Sequence, residues 1–220
     1  QEIAIAAVNP ELSATFLILA IKSAWITLAY ALAGICIAIV IGLPMGVLAS
    51  GVLSKTGALR IIEVPCFRFV LAFFRAIHEL VWAWLFVVAL GLSPIAAIFA
   101  LAIPYSGILG RIYADILNDV PNNPLKALRT SGASELKVLI YGRLPMALPD
   151  MVSYSFYRLE CAIRATAIMG FVGIQGLGFQ LQLSLNDLNY DEMWTLLYVL
   201  IGIIVVVDVW SSWVRRSITP

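Results

Sequence analysis

Six ionisable residues stand in stretches that are otherwise apolar: Arg75, His78 and Glu79 in one, Arg158, Glu160 and Arg164 in another. A charge at membrane depth costs at least a few kcal/mol unless it is paired or wetted, so each marks a packing contact or a solute path. The packing version is simple, because Arg75 with Glu79 and Glu160 with Arg164 have the i, i+4 spacing of ion pairs along one helix. The solute version rests on the excess of arginine. Arg75, Arg158 and Arg164 outnumber Glu79 and Glu160 by one, or by two positive charges with His78 protonated. A planar guanidinium suits bidentate contact with a phosphate or phosphonate oxyanion. Asp208, the lone acid of the last apolar stretch, could serve as a proton relay, but a single acid is more often a hydrogen-bonded packing residue. Cys36, Cys66 and Cys161 lack CxxC spacing and His78 is the single histidine, which argues against a metal site, a disulfide or a histidine-based triad. The run Gly170-Phe-Val-Gly-Ile-Gln-Gly-Leu-Gly178 follows no strand and has no Gly-Lys-Ser/Thr ending, so a nucleotide site there is disfavoured.

The elements that must position these residues are membrane helices. A chain of 220 residues that is 62% hydrophobic and 12% charged, with mean hydropathy +0.97, belongs to the all-α, polytopic membrane class. A single transmembrane domain over residues 1–220 is expected. The chain opens on Gln1, so it is trimmed or lacks an upstream piece. Leu12 to Ile21 is apolar but shorter than the roughly 20 residues a crossing needs, and is placed at an interface. Ala24 to Ala49 carries no charge and is the first crossing. Phe69 to Leu92 and Ser93 to Gly110 follow, the latter interrupted by Pro104, and then Leu144 to Phe179 and Met193 to Val214. Lys and Arg gather at Lys55 and Arg60, over 111–143, and at Arg215-Arg216. Those regions are therefore cytoplasmic, with residue 1 outside and residue 220 inside. Parity then gives about five crossings. Leu144 to Asn186 holds one of them, which leaves Gly170 to Gly178 as a glycine-rich bend near the outer face.

Residues 121–145 form the polar loop of this design. Around the stretch Lys126 to Pro145, apolar Leu125, Leu128, Leu136, Leu139 and Ile140 recur at near-helical spacing with Lys126, Arg129, Lys137 and Arg143 between them. Pro124 opens this helix and Pro145 closes it. Gly132 costs a helix about 1 kcal/mol relative to alanine, so it marks a turn between two short helices or a close approach by another chain. An amphipathic loop of this kind can also simply lie on the bilayer surface.

Several motifs decide between these alternatives: Arg75-x-x-x-Glu79-Leu-Val-Trp-Ala83, Ala127-Leu-Arg-x-Ser-Gly-Ala-Ser134, Tyr141-Gly-x-Leu-Pro145, Leu148-Pro149, Tyr157-Arg158-x-Glu160, Arg164-Ala, and Gly170-x-Val-Gly173 with Gly176-x-Gly178. From about residue 65 onward the chain resembles the permease subunits of phosphonate-type ATP-binding-cassette (ABC) importers, within the methionine-importer-like permeases. The resemblance implies a type I permease core of about five transmembrane helices plus a cytoplasmic coupling helix. It implies that two copies form the pathway and that each coupling helix docks on one of two ATPase subunits. An extracytoplasmic binding protein then delivers phosphonate, phosphite or a related phosphorus oxyanion. This chain would bind no cofactor and perform no catalysis; ATP and Mg would sit in the ATPase. Carried over residue by residue, the ATPase-coupling set is Lys126, Ala127, Leu128, Arg129, Ser131, Gly132, Ala133, Ser134, Leu144 and Pro145. The substrate pathway is Arg75, His78, Glu79, Arg158, Glu160, Arg164 and Gln175, and the gate or bend is Gly170, Gly173, Gly176 and Gly178. The chain departs from the pattern at Lys126 (family Glu), His78 (Pro), Ala162 (Asn) and Gln175 (Gly), changes that bear on docking and on the lining of the path. A permease for another small solute, such as an amino acid, is the nearest alternative. A proton- or sodium-coupled transporter would have to use Glu79, Glu160 or Asp208, and no internal inverted repeat accompanies them.

Overall fold

The computed structural model describes residues 2–53 and 58–218. Its helices are α1 (Glu2–Ala6), α2 (Ala14–Ser50), α3 (Ala58–Ala76), α4 (Glu79–Leu90), α5 (Pro94–Asp119), α6 (Asn122–Thr130), α7 (Glu135–Val138), α8 (Leu144–Met169), α9 (Leu177–Asn186) and α10 (Tyr190–Ile218). A π-helical turn, Leu139–Arg143, precedes α8, and a 3-10 turn, Gly170–Val172, follows it. By length and composition α2, α5 and α10 can each cross a membrane alone, and two bent helix pairs bring the count to as many as five. The all-helical, five-span reading therefore stands. Lys55, residue 1 and residue 220, on which part of the expected orientation rests, lie outside the described residues.

The chain forms two compact units. One comprises Gln1–Gly34, His78–Leu101 and Leu159–Ser212, the other Ile35–Ile77, Ala102–Arg158 and Trp213–Pro220. In the first, Ala20, Ala24, Leu177 and Leu196 are buried, and Phe16, Leu181 and Val199 pack against them. Backbone carbonyls before α2 are held by α10 side chains. Trp194 Nε1 donates to Ile3 O, Tyr198 Oη to Ala7 O and Thr195 Oγ1 to Glu11 O, each at 2.8 Å. In the second unit Ala49, Leu71 and Ala114 are buried, with Met45 and Phe67 against them.

Four boundaries differ from the sequence expectation. The Leu12–Ile21 stretch is not a separate interfacial segment, because from Ala14 it is the first part of the 37-residue α2. Its only interruption is Lys22, which is exposed; a lysine stem covers apolar surface while its ammonium reaches water, so it does not end a membrane helix. The second apolar region is two helices, broken at Ile77-His78. The third runs through Pro104 as far as Asp119. Finally, Pro145 does not close a helix: it stands inside α8. In regular α geometry its ring would meet the carbonyl of Tyr141, and the π turn over Leu139–Arg143 widens the backbone at that point.

Candidate functional site

The polar loop is built as two short helices and the π turn, all within the second unit. On α6, Leu125 is buried and Leu128 half-buried, whereas Lys126, Ala127, Arg129, Thr130, Ser131 and Gly132 are exposed. Its apolar side seats on Gly142, where an added Cβ would stand 2.9 Å from both Leu125 Cδ2 and Leu128 Cδ1. Gly132 has φ +81 and nothing within 4 Å of a Cβ built there, so within this chain it serves as a turn. The helix end is satisfied locally. Thr130 Oγ1 and Ser131 Oγ donate to Ala127 O at 2.8 and 3.0 Å, and Ala133 N donates to Leu128 O at 3.2 Å, a pattern that closes open carbonyls. Ala133 is half-buried and Ser134 exposed.

Arg129 donates through Nε and Nη2 to the two carboxylate oxygens of Glu135, both at 2.9 Å. This fork joins α6 to α7. Its hydrogen bonds hold the Glu135 carboxyl below the usual carboxylate range and raise the arginine. The pair is solvent-exposed, so it is worth at most about 1 kcal/mol. Because the Glu135 value is depressed on folding, that contribution is present above its unfolded pKa and is lost as pH falls through the folded one. Arg143 Nη1 donates to Leu117 O at 2.7 Å, which ties the π turn to the end of α5. Leu144 and Pro145 belong to the first turn of α8, half-buried and exposed respectively, rather than to the α6 surface.

Arg75 and Arg158, also in this unit, line one recess of about 500 Å³ together with Ala72, Ala76, Ile108, Ile112 and Tyr154. No carboxylate among the described residues lines it. The Tyr154 hydroxyl accepts from Arg158 Nε at 3.0 Å and Nη2 at 2.6 Å. The guanidinium carbon lies 5.2 Å from the Tyr154 ring centre and 5.5 Å from that of Tyr157, within cation–π range. Gly107 brings α5 close to α3 beside it, since a Cβ there would stand 2.7 Å from Leu71 O and 3.0 Å from Arg75 N. Small residues permit this backbone approach between membrane helices. Arg75 is exposed and has no hydrogen-bond or ion-pair partner among the described residues.

The remaining pathway candidates fall in the first unit and behave differently. The i, i+4 pair of Arg75 with Glu79 does not form, because the helix breaks between them. His78 instead caps α4: with φ −64 and ψ 145 its side chain accepts from Leu80 N, at 3.3 Å to Nδ1, and Glu79 Oε2 lies 3.8 Å from that nitrogen. Nor does Arg164 pair with Glu160; its Nη2 donates to Cys161 Sγ at 3.6 Å. Glu160 is half-buried, Gln175 exposed and Ala162 buried. The glycine-rich bend is a true break between α8 and α9. Gly170 and Gly178 cross with backbones in contact, so a Cβ on Gly170 would overlap Gly178, and one on Gly178 the carbonyl of Ala167. Gly173 takes φ +89. Gly176 abuts Thr27, whose hydroxyl accepts from Leu177 N at 2.9 Å.

Charge at membrane depth does not reveal Tyr154, Thr27 or Arg143. Tyr154 does have a signal, its place one helical turn before Arg158; Thr27 and Arg143 bond across 150 and 26 residues, with no local trace.

Known proteins give this geometry a setting. Residues 38–220 match the family described as "Binding-protein-dependent transport system inner membrane component". The phosphite transport system permease protein PtxC of Stutzerimonas stutzeri is 31% identical over 190 residues, 86% of this chain and 68% of PtxC. The phosphate-import permease protein PhnE of Mycolicibacterium smegmatis is 34% identical over 192 residues, 87% of this chain but 35% of PhnE. In fold, the chain is similar to an inward-facing MetNI methionine ABC transporter at a TM-score of 0.83 and 24% identity, over 95% of this chain and 100% of that one. The chain is a member of the binding-protein-dependent transport system inner membrane component family.

Proposed function

We propose that this chain is the membrane-spanning permease of an ATP-driven importer, and that its cargo is a phosphorus oxyanion of the phosphite, phosphonate or phosphate type. The observation that carries the ATP coupling is the segment 122–143, whose exposed side sets Lys126, Arg129 and Lys137 beside apolar Leu136, Ile140 and Tyr141 and whose buried side is seated on Gly142, next to its own membrane helix. Such a segment is accessible to a partner yet cannot move without α8. The cargo class is supported by the relatives PtxC and PhnE, named for phosphite and phosphate transport.

In this reading two copies form the pathway, and residues 126–134 of each dock on an ATPase subunit that holds ATP and Mg. A binding protein presents cargo on the outer side, with residue 1 on that side and residue 220 on the cytoplasmic one. ATP binding draws the ATPase subunits together and the docked segments follow. A shift between inward- and outward-facing states requires a ligand that binds one of them better, and nucleotide supplies that difference. Gly170 to Gly178 forms the bend at the outer end of the path.

Uptake into proteoliposomes holding the permease, its ATPase and enclosed ATP, with the binding protein outside, tests the proposal. Labelled methylphosphonate, phosphite or phosphate is expected to accumulate only with ATP and binding protein together. Accumulation of an amino acid alone, or uptake driven by a proton gradient without the ATPase, would contradict it.

A further inference from the structure

We infer that the recess between α3, α5 and α8 is a transit site for the oxyanion, formed by Arg75 and Arg158, with Tyr154 as the residue that positions Arg158. This rests on the importer reading and narrows its pathway to one place. Two guanidiniums line the same hollow of about 500 Å³, and no carboxylate among the described residues lines it. Guanidiniums lining one hollow repel each other, so the arrangement favours an occupant with negative charge.

The chemistry of the occupant follows from how the arginines are held. Tyr154 takes two guanidinium protons on one oxygen, and its ring and that of Tyr157 lie beside the same group. The fork of Arg158 is therefore fixed in direction, whereas Arg75, without a partner among the described residues, is left to follow the ligand. One fixed and one adaptable guanidinium suit a small tetrahedral anion that must be gripped and released. The other lining side chains, Ala72, Ala76, Ile108 and Ile112, supply no hydrogen-bonding groups, so the site reads the oxyanion head and accepts variation in the organic substituent. An amino acid would leave its ammonium without a carboxylate partner here.

Transport per ATP hydrolysed is the test, in proteoliposomes with the complete permease, ATPase and binding protein, and methylphosphonate as the probe. Arg75→Gln and Arg158→Gln are expected to keep hydrolysis stimulated by the loaded binding protein while lowering methylphosphonate moved per ATP about tenfold, the value of one charge-assisted hydrogen bond. Tyr154→Phe keeps the ring and removes the oxygen, and is expected to lower the ratio about threefold, again on the scale of a hydrogen bond. Arg158→Lys, which keeps the charge but not the fork, should restore part of what Arg158→Gln loses. Retained hydrolysis shows that the variants fold and couple. An unchanged ratio in all of them, with the parent transporting normally, overturns the transit site alone. A parent that moves no phosphorus oxyanion overturns both this site and the function on which it rests.

Discussion

His78 illustrates how a single residue can cap a helix from a backbone geometry that suits another. Its φ of −64 is the angle proline imposes, so the position is compatible with proline, and histidine adds a side-chain acceptor for Leu80 N. His78→Ala removes the acceptor and is expected to destabilise the protein by about 1 kcal/mol, the usual cost of a lost helix cap. His78→Pro restricts the unfolded chain and is expected to cost less. Thermal unfolding of the two variants in detergent checks this; a proline variant melting below the alanine one would contradict it. At this scale the sequence discloses which residues matter better than whom they meet. Arg75, Arg158 and Arg164 are conspicuous because charge is costly in apolar context. Their partners are not, because i, i+4 pairing presumes a continuous helix that Ile77-His78 interrupts, and because Arg164 takes a sulfur instead of Glu160.

At the scale of elements, the decisive junction is α6 against the π turn and the start of α8. Gly142 admits Leu125 and Leu128, and Arg143 reaches Leu117 O. In the proposed coupling, displacement of α6 is passed through this junction to the helix that bears Tyr154 and Arg158. Gly142→Val overpacks this contact and is expected to cost about 1–3 kcal/mol and to reduce ATPase stimulation more than transport per ATP. Unchanged stimulation at a lowered melting temperature would show that the junction only stabilises. Gly132 as a turn and Pro124 in a first turn are legible in residue type and spacing, because glycine admits the positive φ of a turn and proline fixes the φ of a first turn. Pro145 is not, because a π turn lets a proline continue a helix that proline normally ends. Lys22 misleads in the same way, as its exposure on α2 depends on where its ammonium reaches rather than on its charge.

For the whole molecule, composition and charge distribution disclose the membrane class and the number of spans, since both follow from the burial of charge in lipid. They do not disclose how the spans are broken, because the bend at Gly170–Gly178 and the cap at His78 depend on backbone contacts made far along the chain, such as Thr27 with Leu177. The central claim is that residues 122–143 join this permease to an ATPase. Its most direct test is copurification of the ATPase with the parent, with Gly132→Ala and with Gly132→Trp. Both substitutions bear the strain of φ +81, and a side chain there meets nothing in this chain, so only bulk toward a partner distinguishes them. The parent and Gly132→Ala are expected to retain the ATPase, and Gly132→Trp to lose it while remaining folded in the membrane. ATPase retained equally by Gly132→Trp, or captured by none of the three, would contradict the account.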